Sequence, residues 1–334
     1  MRVPSSKTTL WSVGIGAGLA GATWLATKYA FRPLRRPLIS DAISPGSFRT
    51  KVVETSQGDV LYHEAGSGPP LLFIHGVQVG ASSYEWSKVY PHFVSDHRVI
   101  AVDLLGFGES ERPSRMIGVE EQEQSLAEFV RLVCGRQAPI IIGSNIGAGL
   151  AVLLASHHPD LATRLILLMP TGLTEFGGRR LPWNMALWAR LPIFGRALYA
   201  GSLARRKSIK AWLERYGFSN PDKVQDEHIE VMATCAQQVG AEHSILALLR
   251  KHYHFDFLEH FQSLVTPVVL LWADRSSLSP LEWAYRLMAV APKNTSLHLI
   301  REAGLLAALE QPESMVEMLR QQTAPKLRVV QPRQ

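Results

Sequence analysis

The stretch Ile140-Ile141-Ile142-Gly143-Ser144-Asn145-Ile146-Gly147-Ala148-Gly149 decides how the chain is read. Three β-branched apolar residues give a short buried-strand signal. Small residues follow at once, and Leu150 to Ser156 then reads as a helix. A strand that reverses sharply into a helix needs small neighbours around the turn residue, because a Cβ there would clash. Gly143 and Gly147 flank Asn145 in that way. The pattern is small-x-nucleophile-x-small, yet the residue presented is an amide. Ser144, beside it, is expected to point to the other side of the turn.

Working outward, the same rhythm recurs. Val52-Val53 and Val60-Leu61-Tyr62 read as a hairpin around Gln57-Gly58-Asp59. Leu71 to Ile74, Val99 to Val102 and Leu165 to Met169 read as buried strands, with helices at Tyr84 to Phe93 and Glu120 to Cys134. From Leu173 to Phe261 the pattern is purely helical. Strands at Val268 to Trp272 and Ser296 to Ile300 follow, with helices at Leu281 to Val290 and Met315 to Gln322. Near-continuous apolar strands alternating with helices imply an α/β fold with a mostly parallel sheet covered on both faces. The helical insertion implies a cap.

The chain has 334 residues, 46% of them hydrophobic, enough for one large domain with a lid. Cys134 and Cys235 form no CxxC pair and lie near no histidines at metal spacing. Neither a disulfide framework nor a zinc site is expected, and no cofactor is implied.

Leu10 to Thr27 carries no charge, and Lys28, Arg32, Arg35 and Arg36 follow it. With its flanks it reaches the span of a single-pass transmembrane helix, with Trp11 and Trp24 near the two interfaces. A cleaved signal peptide is the rival reading, but Ala26-Thr27-Lys28 is a poor exit site. The basic residues behind the segment place the large domain in the cytoplasm. Gly14 and Gly18 form a GxxxG face that would permit self-association. The expected organisation is an N-terminal tail (1–9), an anchor (10–31), a linker (32–50), a first core segment (51–172), a cap (173–262), a second core segment (263–322) and a C-terminal tail (323–334).

These pieces in this order resemble the α/β-hydrolase superfamily, in the branch with a helical cap, over roughly Lys51 to Leu319. His75-Gly76 matches the family's HG, whose next backbone N–H, that of Val77, helps form the oxyanion hole with that of Ile146. Asp103-Leu104-Leu105-Gly106-Phe107-Gly108-Glu109-Ser110 matches D-x-x-G-x-G-x-S. Trp272 to Pro280 resembles W-G-D-R-D-x-x-x-P, and Ala303 to Pro312 resembles A-G-H-x-x-x-x-E-x-P. The resemblance implies a nucleophile, an acid and a base at three positions. Those positions hold Asn145, Ser276 and Leu305. An amide cannot attack, a hydroxyl cannot orient an imidazolium, and leucine carries no proton. Asp274 falls on the family's non-catalytic Asp. His75 reads as structural, and His298, His252 and His254 as bystanders.

The cap is basic: nine Lys or Arg fall between Arg179 and Arg215 against one acid, Glu214, interleaved with apolar residues that include Trp183, Trp188 and Trp212. That composition suits anionic lipid or a lid over a pocket. No recognition motif points to nucleic acid. The expectation is a membrane-anchored pseudoenzyme of this fold. It would bind a hydrophobic small molecule, lipid or protein partner through Asn145, Gly76, Val77, Ile146, Trp183 and Trp188. The alternatives are an active hydrolase or lyase using other residues, and a scaffold with a closed pocket.

Overall fold

The computed structural model describes residues 44–172 and 191–323. Eight strands form one sheet: β1 (Arg49–Thr55), β2 (Gly58–Ala65), β3 (Pro70–Ile74), β4 (Arg98–Val102), β5 (Ile140–Ser144), β6 (Arg164–Leu168), β7 (Val268–Ala273) and β8 (Thr295–Ile300). Their order across the sheet is β1-β2-β4-β3-β5-β6-β7-β8. β1–β2 and β2–β4 pair antiparallel, and every later pair is parallel. The reason is in the residues. β3 and β7 are buried along their whole length, as parallel strands covered on two faces must be. β1, at the edge, is mostly exposed. Leu71, Leu72, Phe73 and Ile74 are all inaccessible, each burial worth roughly 1.5–3 kcal/mol.

Helices α1 (Val119–Cys134) and α2 (Asn145–His157) flank β5 in sequence and pack on each other. α2 is apolar almost all round and buried at ten positions, which marks a central helix rather than an amphipathic one. The described part of the cap is helical: α3 (Pro192–Leu198), α4 (Arg206–Trp212), α5 (Asp226–Ala236), α6 (Ala241–Leu249) and α7 (Leu258–Gln262), with π-helical turns at Tyr199–Leu203 and Leu213–Gly217. α8 (Leu281–Ala289), α9 (Ala307–Glu310) and α10 (Pro312–Thr323) complete the chain.

One expected element differs. Residues 84–93 do not form one helix but two 3-10 turns, Ser83–Trp86 and Tyr90–Phe93. Pro91 interrupts the hydrogen-bond ladder, and the side chains are pulled back onto β3. Trp86 Nε1 donates to Ile74 O at 3.1 Å, and Glu85 reaches the Gly76 N–H. Among the described residues no helix is long and apolar enough to cross a membrane; the apolar segment at 10–31 lies outside them, as do Trp183 and Trp188.

One of the joints between cap and core is a buried carboxylate. Glu310 accepts from Gly304 N (2.6 Å), Ser219 N (3.0 Å), Ser219 Oγ (2.6 Å) and Asn220 N (2.9 Å). A Cβ on Gly304 would collide with the backbone of residues 217–219. Replacing Glu310 by Ala strands at least three backbone donors, so E310A is expected to lose about 3–5 kcal/mol in urea unfolding, with E310Q losing less than half of that.

Candidate functional site

Strand order places the site before any side chain does. β3 has β4 on one side and β5 on the other, so the strand order reverses there, and in open α/β sheets ligands bind at the carboxyl ends of the strands at such a point. Ile74 on β3 pairs with Gly143 on β5. Two residues further along each strand, Gly76 and Asn145 meet. A Cβ on Gly76 would sit 3.2 Å from Asn145 Nδ2 and 3.1 Å from Gln78 Oε1.

Asn145 has φ of 49°, left-handed backbone at the start of α2. Asn tolerates that region better than most residues with a side chain. Gly147 must lack a side chain, because a Cβ there would run into the His75 carbonyl. Asn145 is 6% exposed. Its Nδ2 donates to Ser144 Oγ at 2.9 Å, and its Oδ1 is buried with no hydrogen-bond partner among the described residues. Ser144 itself is fully buried.

Beneath the turn lies Glu85, a residue that sequence reasoning missed. It is 2% exposed, and its Oε2 accepts from Gly76 N at 2.8 Å. Ser144 and Gln78 are its other hydrogen-bonding neighbours, while Oε1 lacks a partner of good geometry. Burial raises its carboxyl above the usual range, against the lowering effect of those three donors. The available signal was an acid inside Ser83-Tyr84-Glu85-Trp86, a run whose other members are core residues.

The remaining residues fall as follows. His75 is spent on structure: Nδ1–H donates to Gly76 O at 2.6 Å, and Nε2 accepts from Leu104 N at 3.0 Å. Burial depresses its pKa, so it stays neutral. Ser276, 6% exposed, accepts from Ser279 N at 3.2 Å and so caps its own turn. Asp274 accepts from Glu302 N at 2.8 Å and lies 3.7 Å from Arg301. Leu305 is buried beside Gly304, where Leu306 N donates to Gly217 O of the cap. Val77 is buried and Ile146 half-buried. His252 and His254 are exposed, and His298 on β8 faces Gln322.

Among the described residues, no histidine hydrogen-bonds to the Asn145 side chain. His228 on α5, also not anticipated, is buried between the Tyr84 and Phe218 rings; its Nδ1 accepts from Gln225 N at 3.1 Å, and burial lowers its pKa. Cys134 and Cys235 are buried thiols, pushed up by desolvation to about 11 and about 12. Away from this floor, His63, Asp103 and Glu109 bring one ligand-capable atom each within 4.8 Å of one another.

The chain matches the family model for the alpha/beta hydrolase fold over residues 69–312, and it belongs to that family. It is 25% identical over 268 residues to an uncharacterized protein of Mycobacterium tuberculosis, covering 76% of this chain and 75% of that one. It is also 25% identical over 304 residues to a 2-hydroxymuconate semialdehyde hydrolase of Pseudomonas putida, covering 86% and 95%. Among solved structures it resembles Cfl2 from Burkholderia cenocepacia, with a TM-score of 0.71 and 22% identity, over 84% of this chain and 98% of that one.

The raised pKa of Glu85 makes a signed prediction. Its contribution favours the folded state below the unfolded carboxylate range and is lost as pH rises through the raised value. E85Q keeps an acceptor for Gly76 N–H without the charge. It is expected to flatten the dependence of melting temperature on pH above that range. At pH 8 it should melt about 2–4 °C higher than the native chain, the shift that about 1 kcal/mol gives in a domain of this size. An unchanged pH profile would show that Glu85 does not titrate on unfolding.

Proposed function

We propose that this chain uses the hydrolase fold to bind rather than to cleave. One observation carries the reading: Asn145 occupies the turn after β5; the motif resemblance, which puts the family's acid and base positions at Ser276 and Leu305, supports it. Family chemistry moves a proton from nucleophile to base and steadies the base with a carboxylate. None of these three side chains performs its step near neutral pH. What is left is an amide oxygen without a partner and the N–H groups of Val77 and Ile146, the latter in the first turn of α2, where no helical acceptor exists. Such a floor suits the polar end of a hydrophobic small molecule or lipid, with Trp183 and Trp188 of the cap as the apolar wall. An anchor at 10–31 would hold this domain at the cytoplasmic face of a membrane, with the basic cap against anionic lipid.

Two other readings each have an observation in their favour. The hydrolase names of curated relatives favour an active hydrolase or lyase with non-family groups. The packing of residues 217–219 onto Gly304 favours a scaffold with a closed pocket.

A serine-hydrolase activity probe and an acyl-ester panel, applied to the full chain and to N145A, separate them. The binding reading expects no labelling and no turnover above the N145A background. Native mass spectrometry of the detergent-extracted chain should then retain a ligand mass, with occupancy falling about five- to tenfold in N145A, the loss of one hydrogen bond. Turnover abolished by N145A would overturn it in favour of an enzyme.

A further inference from the structure

Three side chains from two separate segments of the chain converge at the glycine loop. His63 lies on β2, Asp103 directly after β4, and Glu109 in the loop that follows. One ligand-capable atom of each lies within 4.8 Å of the other two. His63 is 2% exposed and Asp103 inaccessible. Glu109 keeps 22% of its side-chain surface.

The hydrogen bonds to His63 and Asp103 come from uncharged groups. His63 Nδ1 is 3.2 Å from Thr50 Oγ1 on β1. His63 Nε2 is buried without a hydrogen-bond partner and faces Glu109 Oε2 at 3.4 Å. Asp103 Oδ1 accepts from Ser83 N at 2.6 Å and Oδ2 from Glu109 N at 2.7 Å, so each oxygen keeps a second lone-pair site. Arg112 is close enough to feel both Asp103 and Glu109, but its terminal nitrogens donate to the Ser110 and Gly108 carbonyls. In the tautomer that gives Nδ1–H to Thr50 Oγ1, the Nε2 lone pair faces Glu109 Oε2, and a cation between them would be held by both.

We propose that His63 Nε2 and the carboxylates of Asp103 and Glu109 bind a divalent transition-metal ion, with Zn²⁺ as the probe. A separation of 3.4 Å is what two ligands show when each lies about 2.1 Å from one tetrahedral ion. One imidazole and two carboxylates form a donor set of borderline softness, suited to Zn²⁺, Co²⁺ or Mn²⁺. Thr50 Oγ1 is placed to accept the outer hydrogen bond of a histidine that ligates through Nε2. The partly exposed side of Glu109 leaves room for entry and for a water to complete the shell. The ion fastens the β1–β2 hairpin to the loop 103–110. It is structural, and it does not depend on whether the elbow binds or cleaves.

The test uses the full chain, stripped with a chelator and titrated with Zn²⁺. The proposal expects one equivalent per chain by elemental analysis after dialysis. It expects a tetrahedral or five-coordinate Co²⁺ spectrum on substitution. It also expects a melting temperature about 5 °C or more higher at a hundredfold excess over Kd. H63A and the milder E109Q should weaken the ion at least tenfold while the metal-free E109Q chain melts as the native chain does. The control is the surface pair His157 and His260, whose rings lie 4.9 Å apart beside Glu123. H157A and H260A should leave the stoichiometry unchanged. Zinc lost in those variants, binding below a tenth of an equivalent, or binding indifferent to E109Q would overturn the proposal. So would an imidazole of His63 that titrates as an ion pair with Glu109 and ignores zinc.

Discussion

A backbone forced into left-handed geometry at one residue, wedged against the end of the neighbouring strand, sets the rest of the site. Asn145 takes φ of 49° because β5 must end and α2 must begin within one residue. Gly147 then passes the His75 carbonyl at a separation that no side chain survives. Thr171 N donates to the Asn145 carbonyl at 3.1 Å and ties the loop after β6 to the same turn. For an ordinary L-residue that conformation costs roughly 1–2 kcal/mol. Asn escapes part of the cost, and its Nδ2 finds Ser144 Oγ. Asn145 is therefore a side chain that this turn accommodates.

The turn rests on a buried carboxylate. Glu85 is desolvated, which alone would make it a poor residue to keep. It remains because Gly76 N–H, Ser144 and Gln78 surround it. Glu85 thus holds the loop after β3 to the strand end of β5, the same two segments that strand register brings level. The amide of Asn145 leans on Ser144, and Ser144 leans on Glu85. The orientation of the amide, and so which of its atoms is left without a partner, follows from that chain.

The fold was legible because parallel strands buried on two faces leave uninterrupted runs such as Leu71 to Ile74 and Val268 to Trp272, and few other structures produce them. The turn at Asn145 was readable for a related reason: small residues at fixed offsets mark a strand-end turn. Glu85 was not readable. An isolated acid in a sequence looks solvated, and only the backward fold of the 3-10 turn at Ser83–Trp86 onto β3 buries it. The cluster of His63, Asp103 and Glu109 was hidden for a different reason. Its members are brought together by the antiparallel pairing of β2 with β4, and no local spacing encodes a cross-strand contact. His228 likewise looks like a polar helix residue until Phe218 and Tyr84 close over it.

On the proposed reading, the three loops that carry Asn145, Ser276 and Leu305 are each satisfied on their own terms. Ser276 caps the turn that Trp272 Nε1 closes by donating to Ser279 O. Leu305 is buried between Gly304, which packs on the cap backbone at 217–219, and Leu306, whose N–H donates to Gly217 O. Asn145 makes its internal bond through Nδ2. The exception is Asn145 Oδ1, buried and unmatched among the described residues. A buried acceptor without a donor costs about 1–3 kcal/mol, and nothing in the three loops relieves it. A ligand group that brings a donor to Oδ1 and accepts from the Val77 and Ile146 N–H groups removes that cost on arrival. A carboxylate bearing no proton would meet Oδ1 as like meets like. On the reading proposed here, the old nucleophile position has become the element that sorts ligands, by hydrogen-bond polarity rather than by reactivity.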